Sequence, residues 1–294
     1  MAVPETLAKG VDFKGEYARR YDATKKPQDF AVQQITQGIA VDPVVDIVHN
    51  DIQLVDIRGA YHYERTTIEW KRQADNFLEQ YERLGGYHFV GWDYEKNRNT
   101  LTKKTDDECL LAMQYVSAAT GDPVFLYCGL VELNDMVRRG ATWVLSDNVL
   151  LWLARYFERS YYYEKAKSPA EKPPGSTPTN PYGYIDKRVL EKAKNCHIWQ
   201  FAGGSAVYVD GNFQWADAGY KVGRDYGVQQ DNIDLNAYMR GGVPELRKLL
   251  KLATPAPEPD PPPIELPTNE PSLEEKINVL WNNAKKNPPK GWEL

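Results

Sequence analysis

Tyr87-His88-Phe89-Val90-Gly91-Trp92-Asp93-Tyr94-Glu95 is an apolar, ring-rich run that ends in charge. Its glycine and aromatic content favour a buried strand. Upstream, across residues 66–84, Trp70, Ala74, Phe77, Leu78, Tyr81 and Leu84 recur at helical spacing. Thr66 and Glu69 have the spacing of a capping box, and Gly85-Gly86 stops the helix. Downstream, Thr105 and Glu108 offer a second cap, Cys109, Ala112, Met113 and Val116 an inner face, and Gly121-Asp122-Pro123 an end. Residues 124–127 then read as a strand, 131–139 as a helix, and 149–156 and 197–201 as further strands. This alternation predicts an α/β fold with a parallel sheet, open or closed into a barrel.

The periodic pattern fails over residues 158–184, rich in Pro, Lys and Tyr, which read as a long surface loop. Residues 254–271 are proline-dense and acidic, an extended linker. Beyond it, Ser272 and Glu275 cap a short helical segment, 272–294, with Leu273, Ile277, Leu280, Trp281 and Ala284 along one side. Such a stripe suits docking on the domain, self-association or attachment to a larger particle. The expected organisation is therefore an extension (1–9), a catalytic domain (10–253), the linker and the C-terminal segment.

Thirty-six basic against 41 acidic side chains give a formal charge of −5, with no basic run able to track a phosphate backbone. Nucleic acid is not an expected partner. Three cysteines, Cys109, Cys128 and Cys196, form neither a disulfide framework nor a ligand pattern, so free thiols and no metal are expected. The first twenty residues contain no apolar core, and the apolar stretch 143–157 is broken by Ser146, Asp147, Asn148 and Arg155. Neither a signal peptide nor a membrane span is expected. Eight tryptophans and 19 tyrosines fit a sugar-binding cleft and equally an aromatic core.

The chemistry centres on Asp93 and Glu95. Side chains two apart on a strand share a face, so both carboxylates enter one pocket. Two acids about 5 to 9 Å apart suit glycosidic cleavage, one protonating the leaving oxygen and the other stabilising positive charge at the sugar. Mutual repulsion raises one pKa and keeps that acid protonated near neutrality. Taken alone, the Asp-x-Glu pattern is weak and fits a solvated strand end better.

Other pieces fall in order along the chain: Gly10-Val11-Asp12, Gly59-Ala60-Tyr61-His62-Tyr63, Trp92-Asp93-Tyr94-Glu95, Leu151-Trp152-Leu153-Ala154-Arg155-Tyr156, Ile198-Trp199-Gln200-Phe201 and Ile233-Asp234-Leu235-Asn236. The set resembles the family 25 glycoside hydrolase lysozymes, from about Gly10 to Gly242. That resemblance implies a distorted TIM-like β/α barrel and hydrolysis of the β-1,4 bond between N-acetylmuramic acid and N-acetylglucosamine in peptidoglycan, without a cofactor. It makes Glu95 the general acid and later the base. It gives Asp93 the task of orienting the substrate N-acetyl group or stabilising the charged intermediate, and completes the acidic floor with Asp12 and Asp234. It places Tyr61, Tyr127, Trp152, Tyr156 and Trp199 along the sugar cleft, with His62, Gln200 and Asn236 as polar groups beside it. Two stretches depart from the family pattern: Phe13-Lys14-Gly15-Glu16-Tyr17 stands in place of Ser-x-[Trp/Tyr]-Gln-Gly, and Gln33-Gln34-Ile35-Thr36-Gln37-Gly38 in place of a Lys-Ala-x-Glu-Gly stretch. The altered strands motivate a rival reading, a glycan-binding or structural virion protein without turnover. A third is the same barrel cutting a different bond, as an N-acetylglucosaminidase or a chitin hydrolase. A wall-cutting enzyme without a leader is expected to work as a phage lysin or on a virus particle.

Overall fold

The strand around Trp92 is one stave of a closed barrel. The computed structural model describes residues 7–14, 19–26, 28–97, 99–154, 185–202, 206–209, 212–215, 224, 226–229 and 233–253. The loop expected at 158–184, the linker and the C-terminal helical segment lie outside them. The strands are β1 (Lys9–Lys14), β2 (Phe30–Gln37), β3 (Ala40–Val41), β4 (Ile57–Tyr63), β5 (Phe89–Asp93), β6 (Val124–Gly129), β7 (Leu150–Ala154), β8 (Ile198–Ala202), β9 (Ala206–Val209), β10 (Asn212–Trp215) and β11 (Asp234–Tyr238). Around the barrel run β1, β2, β4, β5, β6, β7 and β8, each parallel to the next. β11 closes it, antiparallel to both β8 and β1.

The reversal of β11 has a local cause. Parallel neighbours need a crossover, usually a helix, whereas an antiparallel return does not. The segment leaving β8 carries the β9–β10 hairpin, and the chain comes back in the opposite sense. The expected distorted β/α barrel is thus what the chain forms.

The described helices are α1 (Val45–Ile52), α2 (Trp70–Leu84), α3 (Lys103–Thr120), α4 (Leu130–Arg138), α5 (Lys187–Lys194) and α6 (Val243–Leu249). Two caps differ from the expectation. α2 begins at Trp70, capped by Glu69, whose side chain accepts from Arg72 N, while Thr66 Oγ1 instead accepts from Thr100 N at 3.1 Å. α3 begins at Lys103, with Thr102 and Thr105 closing the capping box one turn earlier than the Thr105–Glu108 pair. Both regions carry several candidate oxygens three residues apart, and tertiary contacts select among them.

Alternation along the strands sorts the core into two layers. Phe30, Ile57, Phe89, Phe125, Trp152, Ile198 and Tyr238 belong to one cluster inside the barrel, closed at the bottom by Leu246 of α6 and by Leu250. Their neighbours in sequence, among them Ala31, Ala60, Val90, Trp92, Leu126, Leu151 and Trp199, pack outward with helix residues such as Phe77, Cys109 and Met136. Each large side chain removed from water contributes about 1.5–3 kcal/mol. The interior is tight enough to require two motif glycines. A Cβ on Gly59 would meet the Phe89 ring at 2.5 Å, and one on Gly91 would meet Trp152 Cζ3 at 2.8 Å and Tyr61 Cβ at 3.0 Å.

Candidate active site

The carboxyl ends of the parallel strands form the polar end of this interior. On β1, Asp12 is buried, and its Oδ1 accepts from Asn236 Nδ2 on β11 at 2.6 Å and from Gln200 Nε2 on β8 at 2.8 Å. Burial pushes its carboxyl up to about 6 against the pull of those two amides. Asp93, the last residue of β5, is buried as well, and its Oδ1 has no hydrogen-bond partner among the described residues. Burial first, then the charges of Glu95, Asp12, Glu64 and Asp234, hold its pKa well above the usual carboxylate range. Glu95, two residues on, is half-buried, and burial followed by the charges of Glu132 and Asp12 raises it to about 7. Asp234 is the half-buried first residue of β11, opposite Asp12 in the register. The four acids are therefore brought together at one end of the barrel, where the charge of Glu95 acts on Asp93 and that of Asp12 on both.

Aromatic groups support this cluster from below. Trp152 packs edge-on against Tyr127 at 5.1 Å and Tyr61 at 6.5 Å, and its indole N–H donates to Asn236 Oδ1 at 2.8 Å. Tyr127 OH donates to Gln200 Oε1 at 2.9 Å. Tyr127 is half-buried and open to a ligand at its edge, whereas Trp152, 1% exposed, is the floor that positions Asn236 and not a stacking face. Gln200 and Asn236, equally buried, direct their amide N–H groups at Asp12. Tyr156 lies outside the described residues.

Two expected cleft residues are corrected by strand alternation. His62 follows the inward Tyr61 and points to the outer layer, where Nδ1 meets Thr36 Oγ1 at 2.7 Å and the ring packs on Trp92 at 4.4 Å. Burial lowers its pKa to about 3, so it is a neutral core histidine. Trp199, preceding the inward Gln200, is 1% exposed and belongs to the outer cluster.

The same outer layer holds residues that sequence reasoning did not single out. Tyr94 sits between the two acids but faces outward: its hydroxyl donates to Asp106 Oδ1 on α3 at 2.9 Å and meets Thr105 Oγ1 at 2.8 Å. Arg139 grips that fully buried Asp106 with Nε and Nη2, both at 2.8 Å. From the other side Asn99 Nδ2 donates to the carbonyls of Glu95 and Glu64, each at 2.9 Å, and Glu64 N donates to Asp93 O at 2.9 Å. The backbone carrying Asp93 and Glu95 is thereby fixed on three sides, as a site that must hold two repelling acids requires. Asp106 had a readable signal, a charge on the apolar stripe of Cys109 and Met113. Glu64 had none beyond its place at the end of β4.

Chemically, the cluster offers an acid that keeps its proton near neutrality, a buried oxygen awaiting a donor, and an amide-bound carboxylate. That inventory suits acid-assisted cleavage of a glycosidic bond. The model of glycosyl hydrolases family 25 matches residues 12–208. Among curated proteins no match was found. The fold is similar to that of the catalytic domain of endolysin ply40 from bacteriophage P40 of Listeria monocytogenes, at 18% identity and TM-score 0.50, over 84% of this chain and 98% of that one. The bacterial lysozyme from Streptomyces coelicolor gives 17%, 0.52, 85% and 97%, and a family 25 glycosyl hydrolase from Bacillus anthracis 16%, 0.51, 84% and 95%.

Proposed function

Because the chain belongs to glycosyl hydrolases family 25, we propose that it is a peptidoglycan hydrolase, an N-acetylmuramidase that cleaves the β-1,4 bond between N-acetylmuramic acid and N-acetylglucosamine. The observation that carries this reading is the Asp93–Glu95 pair, in which burial and mutual repulsion retain a proton at neutral pH. Glu95, the more open of the two, delivers that proton to the glycosidic oxygen and later takes one from water. Asp93 Oδ1, buried without a protein partner, receives the substrate's acetamido N–H. A donor arriving there favours the Asp93 anion and leaves the shared proton on Glu95, so substrate binding readies the acid. Asp12, held by Gln200 and Asn236, fixes the negative floor beneath the developing positive charge.

Digestion of purified peptidoglycan by the wild type and by Glu95→Gln, with mass spectrometry of the released ends, tests reaction, bond and acid together. New muramic acid reducing ends from the wild type alone are expected. Equal release by the variant removes Glu95 from the role of acid, and glucosamine ends move the cut to the other bond. Wall binding with no release by the wild type would favour a non-catalytic glycan-binding protein. The setting we propose is wall degradation by a phage lysin or a virion-borne enzyme, which adding purified protein to intact cells and following their lysis examines.

A further inference from the structure

Glu132 belongs to no motif, yet it lies against the acid. The backbone bond from Tyr94 N to Tyr127 O, 2.9 Å, sets Glu95 abreast of Cys128 and Gly129 at the end of β6. Gly129 is also the N-cap of α4, which starts at Leu130, so Glu132 stands in the first helical turn. Its side chain does not extend into solvent. It folds back over the cap, where Oε2 fills the space that a Cβ on Gly129 would occupy, and the residue is only half-exposed. Cys128 gives an independent bearing: the charges that act on its buried thiol are those of Glu132, Glu95 and Asp93, in that order.

We propose that Glu132 is a positioning residue of the acid machinery, its carboxylate folded over Gly129 to face Glu95 and keep the proton on it. The proposal rests on the muramidase reading for its role in turnover; the coupling stands on the fold of Glu132 over Gly129, beside Glu95, and on the charges that act there. Among the described residues, the charges acting on Glu95 are those of Glu132 on α4 and Asp12 on β1; Glu95 in turn acts on Asp93 at the end of β5 and on Cys128 of β6, and Glu64 and Asp234 also act on Asp93. After burial, Glu132 exerts the largest influence on Glu95, ahead of Asp12. The first turn of a helix also favours a negative charge, so the fold stabilises this carboxylate where the site uses it.

The test reads Glu95 directly. Carboxyl carbons of 13C-glutamate-labelled protein are titrated by NMR, the Glu95 signal being the one absent from Glu95→Gln, beside the pH profile of kcat/KM on soluble peptidoglycan. In Glu132→Gln the Glu95 midpoint and the alkaline limb of the profile are expected to fall together by roughly 0.5–1 pH. Glu132→Asp should recover part of the fall, Gly129→Ala, which displaces the carboxylate, should reproduce it, and removing the exposed charge in Glu82→Gln should leave it unchanged. A midpoint that stays put in both Glu132→Gln and Gly129→Ala overturns the inference, whatever the activity. A midpoint that moves in a protein releasing no muramic acid ends keeps the coupling and overturns the muramidase reading instead.

Discussion

Glu64→Gln should make the protein more resistant to alkaline pH. The side chain of Glu64 is 2% exposed, its Oε2 accepts from Trp92 Nε1 at 2.5 Å, and the Cys109 thiol donates to it. Both bonds favour the anion, but burial outweighs them and carries the carboxyl from 4.5 to about 8. Between those values the folded protein holds a proton that the unfolded chain has released, so this site's stability is fully present below 4.5 and is lost as pH rises through 8. At 1.36 kcal/mol per tenfold change in proton activity, the loss between about pH 5 and about pH 8.5 is about 4 kcal/mol. A glutamine of the same shape still accepts from Trp92 and has no proton to lose. Urea unfolding followed by tryptophan fluorescence at several pH values gives the free energy for each protein. The difference between variant and wild type should grow with pH by an amount of that order, since Asp12, Asp93 and Glu95 contribute to both curves. Parallel curves would refute the reasoning, because they would mean that Glu64 ionises inside the fold at no cost.

Two further outcomes follow from the outer layer. His62→Phe should leave KM for peptidoglycan unchanged and cost about 1–3 kcal/mol through the orphaned Thr36 hydroxyl. Because burial lowers His62 from 6.5 to about 3, the wild type loses stability as pH falls through that window, and thermal unfolding of the variant should show a shallower acid slope. Arg139→Met leaves the fully buried Asp106 without its guanidinium and should cost about 3 kcal/mol in urea unfolding, while lowering kcat more than KM because Tyr94 no longer fixes the strand between the two acids.

Much of the barrel was readable around Trp92, where the periodicity changes from helix to strand and back within forty residues and glycines mark the stops. The antiparallel β11 was not, because its direction is set by pairing with β8 and β1, partners far from it in sequence. At the site, alternation put Asp93 and Glu95 on one face, and the same rule separates His62 from Tyr61 and Trp199 from Gln200. Membership of a motif obscured that parity: adjacent residues of a strand motif cannot both face the cleft, and half of each motif serves the outer packing. Tyr94, Arg139 and Glu132 were illegible for another reason. Their roles come from pairings of residues 12 to 37 positions apart that only the closed barrel creates.

Burial by itself does not assign the acids their tasks, since it raises Asp12, Asp93 and Glu95 alike. What sorts them is the supply of donors and like charges around each one. Asp12 receives two amide N–H groups and settles at about 6, low enough to be largely ionised at neutral pH. Asp93 receives none at Oδ1, and burial with the charges of Glu95, Asp12, Glu64 and Asp234 holds it well above the usual carboxylate range. Glu95 stands at about 7, with its proton retained at the pH where it must be given up. Removing a donor from Asp12 should raise its pKa and adding one to Asp93 should lower that of Asp93, without moving a backbone atom, and the direction of the pH-profile shift reveals which acid was altered.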